Sequence, residues 1–446
     1  MNIYNIIDKC LPASLAYNVK LLVTYKDLFR AKVPPVMRFF NWWYKQKSSA
    51  SAKNAAAENR KIEVAFILSN TGNWKSDYLF SEFKKNSNYH PFVVIAPYSV
   101  FRNYDKSDCM ATAMRTKKFI EEKGFECKIP YDEKNDKWLD PKVLYNPDIV
   151  IFTFPYKDTY PQFYLYHYSD KTTIFQPYGY GCLSCYKFNY NLPLNNLVTY
   201  FPHENKYNMQ KSFEYSTTKA VNGVTIGSFA TEIFLDKNYV PSNPWKPQNH
   251  EKKKVIWGPH HSFDGLNLST FLIHHENMLN LAKKYEDSIQ FLFKPHPLLK
   301  FKLKNIWGEE KTNEYYNRWA EGVNTQIDES KYVDYFITSD AMIHDSGSFT
   351  AEYMHTQHPG MYLIKSDDIE KQFGPVGKKA FDCYYKGRTL DDIDNFLSEV
   401  VIKGIDPMKE DRQKLFDDCF ALKDGIMPSK RMVHILDDDF GKKHID

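Results

Sequence analysis

Two stretches of this 446-residue chain bring together residue types suited to holding phosphate. One is Ile343-His344-Asp345-Ser346-Gly347-Ser348-Phe349-Thr350-Ala351-Glu352-Tyr353. The apolar run ending at Ile343 predicts a buried strand, and residues 350–355 predict the opening of a helix. Small hydroxyl and glycine residues between them leave backbone amides uncovered at a helix N-terminus, where the dipole favours anions. Ser346 and Ser348 add hydroxyl donors, and Gly347 lets a ligand approach the backbone closely. Glu352, about one turn past Ser348, is placed to accept from ribose hydroxyls. An ordinary N-capped helix uses the same residue types. The second stretch, Phe291-Leu292-Phe293-Lys294-Pro295-His296-Pro297, weighs against that plain reading. Here a strand ends in a turn fixed by two prolines, which presents Lys294 and His296. Ligands of open parallel sheets collect at the carboxyl ends of strands. Two such ends, one cationic and one rich in amides, describe a nucleotide-diphosphate site.

Positioning these turns requires parallel strands with helices between them. Residues 61–70, 91–97, 148–154 and 172–175 predict strands in the first half, with helices over 74–85 and 107–123. Strands over 255–257, 288–293 and 360–364 alternate with helices over 268–285 and 313–321 in the second half, and helices over 390–402 and 407–421 follow. This alternation is the pattern of parallel sheets covered on both faces. The turn Thr71-Gly72-Asn73 lacks the G-x-G-x-x-G fingerprint, so no dinucleotide cofactor is expected. Pro241-Ser242-Asn243-Pro244-Trp245-Lys246-Pro247 marks the best boundary. The expected division is a helical membrane-proximal segment and linker over 1–60, an acceptor domain over 61–245, a donor domain over 246–425, and a tail over 426–446 that can cross back. His260 and His261 follow another strand end, but no further ligands stand at matched spacing, so no metal is expected.

Composition narrows the partners. The chain is 43% hydrophobic and 16% aromatic, ample for two cores. Net charge is +4, yet the first 60 residues hold ten Lys/Arg against three Asp/Glu, an excess of seven that leaves the remainder at −3. Nucleic acid is therefore excluded as a partner for the bulk of the protein, and an anionic membrane surface suits its first segment. Residues 15–30 predict an amphipathic basic helix, and Met37-Arg38-Phe39-Phe40-Asn41-Trp42-Trp43-Tyr44-Lys45 has the aromatic and cationic character of interfacial helices. Residues 48–59 read as a linker or a weak exposed helix. Seven scattered cysteines, including the lone pair Cys182 and Cys185, predict reduced thiols. With no signal peptide and no apolar run of about 18 residues, the expected place is the cytoplasmic face of the membrane.

The Lys294-Pro295-His296-Pro297 turn, followed by Asp345-Ser346-Gly347-Ser348 and Glu352, resembles the C-terminal half of the CDP-glycerol glycerophosphotransferases, the teichoic-acid polymerases and their capsule-related relatives. The resemblance covers residues 255–363 well and the rest in outline. It implies an α/β fold of two facing Rossmann-like domains with a cleft between them, the GT-B arrangement. It also implies transfer of a polyol phosphate, glycerol phosphate, from a CDP-activated donor to a lipid-linked or polymeric cell-surface or capsular acceptor. Lys294 and His296 would then meet the phosphate charge, with His260 or His261 as a second proton or phosphate contact. The family's first domain carries a His-Gly pair where this chain reads Tyr178-Gly179; His167 and His203 are the nearby histidines that could substitute. Two other readings stand beside this one: a GT-B glycosyltransferase using a nucleotide sugar, and a non-catalytic membrane-associated scaffold.

Overall fold

The computed structural model describes residues 34–98, 106–156, 158–263, 267–329 and 332–444. The chain forms two compact units, one of residues up to Tyr178 with Tyr186–Ala230 and Ile426–Asp446, the other of Gly179–Cys185 and Thr231–Gly425. Each is built on a parallel sheet covered by helices, the Rossmann-like plan that strand–helix alternation predicts.

The first unit holds β1 (Ile62–Leu68), β2 (Tyr89–Ile95), β3 (Cys127–Lys128), β6 (Ile149–Phe152) and β7 (Thr172–Phe175) in the order β3-β2-β1-β6-β7. A hairpin of β4 (Tyr131–Asp132) and β5 (Lys137–Trp138) and a parallel pair of β8 (Phe201–His203) and β9 (Gly223–Thr225) accompany it. β1 is apolar almost throughout because both its faces are covered. Ile62, Val64, Phe66 and Leu68 enter one core with Phe80, Phe83, Met432 and Leu436, while Ala65 and Ile67 enter the opposite one with Met37, Phe152 and Tyr168. The C-terminal helix Pro428–Phe440 is thus part of this unit's core.

Residues 34–59 form two helices, and the expectation of a linker or a weak exposed helix over 48–59 is corrected. Pro34 and Pro35 stand in the first turn of α1 (Pro34–Ser48), where no amide bond is lost. Met37, Asn41, Tyr44 and Ser48 form a buried stripe at helical spacing. Asn41 Nδ2 donates to Asn196 O at 2.8 Å, and Thr172 Oγ1 donates to Ser48 O at 3.0 Å. The helix is therefore a packed element of the unit, with Arg38, Phe39, Trp42 and Lys45 on its exposed side. The expected linker is α2 (Ala50–Ala57), whose Ala52 and Ala55 are buried in the core. Alanine favours helix and its small side chain permits close approach. The helix expected over 15–30 lies outside the described residues.

The second unit holds β10 (Lys253–Gly258), β11 (Ile289–Phe293), β12 (Thr325–Ile327), β13 (Ala341–His344), β14 (Gly360–Leu363) and β15 (Tyr385–Gly387). Their order is β12-β11-β10-β13-β14-β15, all parallel, so the winding reverses between β10 and β13. Trp257, Phe271, Phe293 and Trp319 stack at the centre of its core, with Trp257 and Phe293 paired in register and their rings 5.0 Å apart. The units divide after Ala230, ahead of the proline-rich stretch, because residues 231–245 pack on the second unit. Phe234 stacks on Phe336, and Trp245 Nε1 donates to Thr338 Oγ1 at 2.8 Å. No helix among the described residues is long and apolar enough to cross a membrane.

Candidate functional site

A pocket of about 230 Å³ opens in the second unit where β10, β11 and β13 end. It is lined by Gly258 and Pro259 after β10, Lys294 to Pro297 after β11, Ser346, Ser348 and Phe349 after β13, and Glu329 and Tyr332. Because the winding reverses between β10 and β13, the connections leave in opposite directions and a crevice must open there. The pocket stands at that switch point.

The turns are fixed by backbone bonds between neighbouring strand ends. The Lys294 amide donates to Trp257 O at 2.7 Å and the His296 amide to Pro259 O at 3.0 Å, so the turns after β11 and β10 are joined. Lys294 is 4% exposed, and its Nζ donates to Asp328 O at 3.0 Å with the Asp328 carboxylate at 3.9 Å. This pairing fixes the Lys294 side chain in the pocket lining beside His296, Ser346 and Ser348.

Asp345 holds the third turn, and sequence reasoning gave it no role. It is fully buried and accepts from the His260 amide, the Thr270 amide and, at 2.7 Å, Thr270 Oγ1. It thereby ties β13 to the turn that carries His260. Burial pushes its carboxyl up to about 6 despite these donors. The only signal in the sequence was its place directly after the strand.

His260, His261 and His296 come together although they lie on different strand ends. Their ring centroids are 4.3, 5.1 and 4.0 Å apart for the pairs 260–261, 260–296 and 261–296. One nitrogen from each falls within 4.8 Å of the others. This corrects the expectation that no third ligand accompanies His260 and His261: chain spacing conceals a partner on the adjacent strand. Burial, then the neighbouring histidines, holds His260 down to about 3; burial, then His261 and Lys294, holds His296 down to about 4. Both rings are neutral at neutral pH.

The 346–352 turn differs in three ways from its sequence reading. The Ser346 amide is used by Nδ1 of His344 at 3.2 Å and is not open to a ligand. A side chain on Gly347 would meet Leu183 at 3.1 Å, so glycine here makes room for Leu183, and Gly347 does not line the pocket. The helix after Ser348 is a single turn, Phe349–Glu352, continued by a 3₁₀ turn, which leaves little dipole. Ser346 and Ser348 do line the pocket. Glu352 is 5% exposed and takes a hydrogen bond from Tyr332, whose phenol is pushed up by burial and by that carboxylate. Tyr332 and Glu329 gave no signal in the sequence.

His203 belongs to the first unit and is corrected as a candidate base. It is 1% exposed, its ring lies 4.4 Å from Phe201 and 5.9 Å from Tyr190, and burial lowers it to about 3. It fills the core and is not presented to a substrate. His167 is held by Asp140, with Nε2 2.9 Å from Oδ1. Tyr178, in the Tyr178-Gly179 pair, shares a hydrogen bond of 3.1 Å with Tyr156.

No protein-family model matches the chain, and no curated protein matches it. Solved structures do. The S. aureus MnaA complex with UDP aligns over 86% of this chain and 98% of its own, at 14% identity and a TM-score of 0.52. The UDP-GlcNAc 2-epimerase from Neisseria meningitidis bound to UDP-GlcNAc aligns over 84% and 99%, at 13% identity and a TM-score of 0.51. The fold is GT-B-like. A variant of the wall teichoic acid polymerase TagF aligns over 94% and 98% at 14% identity, but its TM-score of 0.49 adds nothing to that conclusion.

Proposed function

We propose that the second unit binds a nucleoside-diphosphate-activated donor at the ends of β10, β11 and β13, and that the protein is a transferase. The observation that carries this is the gathering of Lys294, His296, Ser346 and Ser348 around one pocket at the switch point of a Rossmann-like sheet. The donor is a CDP-linked polyol, glycerol phosphate by the resemblance of the Lys294–Pro297 and Asp345–Glu352 motifs to the glycerophosphotransferases. The acceptor hydroxyl of a cell-surface or capsular polymer attacks the outer phosphorus, and the bond to the inner phosphate breaks. CMP leaves with the electron pair, and the hydroxyl proton passes to a base. Lys294 and the histidine N–H groups meet charge on the phosphates. Glu352 and Tyr332 form the carboxylate–phenol pair beside the pocket that would receive the ribose.

The exposed stripe of α1 supports a peripheral place on an anionic membrane. Arg38 and Lys45 attract the surface, and Phe39 and Trp42, each 56% exposed, insert apolar area that salt does not screen. A lipid-linked acceptor would be met there.

A nucleotide-sugar glycosyltransferase is the second reading, favoured by the fold shared with structures that hold UDP and UDP-GlcNAc. The leaving group separates the two. Incubation with labelled CDP-glycerol and a panel of nucleotide sugars, with a polymer acceptor, should release CMP from CDP-glycerol alone. Release of a nucleoside diphosphate from a sugar donor would establish the second reading, and no turnover of any donor would leave a binding scaffold.

A further inference from the structure

The three clustered imidazoles, of which His296 lines the pocket, have the spacing of a metal centre, and their hydrogen bonds oppose that use. The Leu298 amide donates to Nδ1 of His296 at 3.1 Å. The Ser262 amide donates to Nδ1 of His260 at 3.2 Å, and Ser262 Oγ, which accepts from the Leu268 amide and can give its own proton, lies 2.8 Å from the same nitrogen. An amide N–H can only donate, so each Nδ1 must offer its lone pair, and the proton of each neutral ring then sits on Nε2. The same bond, from the amide two residues on, recurs after β13, where Ser346 donates to Nδ1 of His344. Three strand ends thus fix a histidine in one tautomer by the same local turn.

Metal-bound histidine has the reverse arrangement. It ligates through one lone pair while its other nitrogen, as N–H, donates to a carboxylate, carbonyl or water. At His260 and His296 the nitrogen away from Nδ1 carries the proton and has no lone pair in the ring plane to give. Lys294 lines the same pocket and its ammonium repels a cation. The ring centroids of His261 and His296 lie 4.0 Å apart with the planes tilted by 32°.

We propose that His260 and His296 act as neutral Nε2–H donors to an anionic phosphoryl oxygen, so that the three-histidine cluster with Lys294 is an oxyanion site and not a metal centre. The identity of the anion as a donor phosphate rests on the function proposed above; the tautomers do not. Neutral rings of this kind give hydrogen bonds without a buried positive charge, leaving Lys294 to supply the charge. Depressed basicity at both histidines agrees with this state.

The test uses the full chain labelled with ¹⁵N-histidine at pH 7.5. Two-bond ¹H–¹⁵N correlation spectra distinguish the tautomers, with assignment from His260→Gln and His296→Gln. Both rings should be Nε2–H, and inorganic diphosphate should move both Nε2 signals. In calorimetry with diphosphate, His296→Ala should weaken binding about tenfold or more, the loss of one hydrogen bond to a charged group. His296→Gln, whose amide can donate, should recover most of it at an unchanged melting temperature. An Nδ1–H tautomer at either ring, Nε2 signals indifferent to diphosphate, or zinc binding that His260→Gln abolishes would each overturn the proposal. Diphosphate held by both histidines without turnover of any nucleotide donor would sink the functional reading and leave the oxyanion site standing.

Discussion

At the residue scale, the site depends on a side chain that touches no ligand. Asp345 accepts three hydrogen bonds from groups that have no water to turn to. Asp345→Asn keeps one oxygen and points an NH₂ at donors, leaving at least one buried donor unsatisfied at a cost of about 1–3 kcal/mol. Urea denaturation should show that loss, and diphosphate affinity should fall with it as the His260 turn loosens. Equal stability and affinity in the variant would show that the latch is unimportant. Lys294 and His296 were legible in the sequence because two flanking prolines leave few other conformations. Asp345 was not, because a polar residue after a strand looks like a helix cap, and only tertiary packing buries it. The histidine triad was hidden for a related reason: parallel neighbours in a sheet are far apart along the chain.

At the element scale, the strands were readable because burial on both faces makes them apolar almost throughout, as in β1 and β11. The helices that carry short contacts were not. The turn after Ser348 stops at four α-helical residues, and α2 reads in the sequence as a linker or a weak exposed helix because a Ser/Ala/Lys run looks the same whether its alanines face solvent or a core. α1 has a packed face and an exposed aromatic and basic face, and the membrane role proposed for the second should separate from the packing role of the first by mutation. Met37→Ala removes a fully buried side chain and should cost about 2–5 kcal/mol in denaturation, with vesicle binding of the folded protein unchanged. Phe39→Ser with Trp42→Ser should change stability by only about 0.5 kcal/mol per site and reduce sedimentation with anionic vesicles. Unaltered sedimentation of the double variant would remove α1 from membrane binding.

At the scale of the whole molecule, buried histidines set an acid limit. His203, His260 and His344 are held to about 3, and His296 and His355 to about 4, in each case first by burial. Their unfolded values lie near 6.5, so the unfolded chain takes up these protons first as pH falls. Their contribution is present above about 6.5 and is lost progressively toward 4, by up to about 1.4 kcal/mol per histidine per pH unit. Asp345 runs the other way. Its folded value near 6 exceeds the unfolded one near 3.9, so its contribution is present at low pH and lost as pH rises through 6. Five histidines outweigh one aspartate, and melting temperature should drop steeply from pH 7 to pH 5; a flat profile would mean that these rings are reached by water. The most direct test of the donor site is the calorimetric affinity of the full chain for CDP, compared with Lys294→Met. Methionine fills the same volume without charge, so the fold and melting temperature should persist. Loss of one charge-assisted hydrogen bond should weaken CDP about tenfold or more. Unchanged CDP affinity in a folded Lys294→Met protein would contradict the assignment of this pocket to the donor diphosphate.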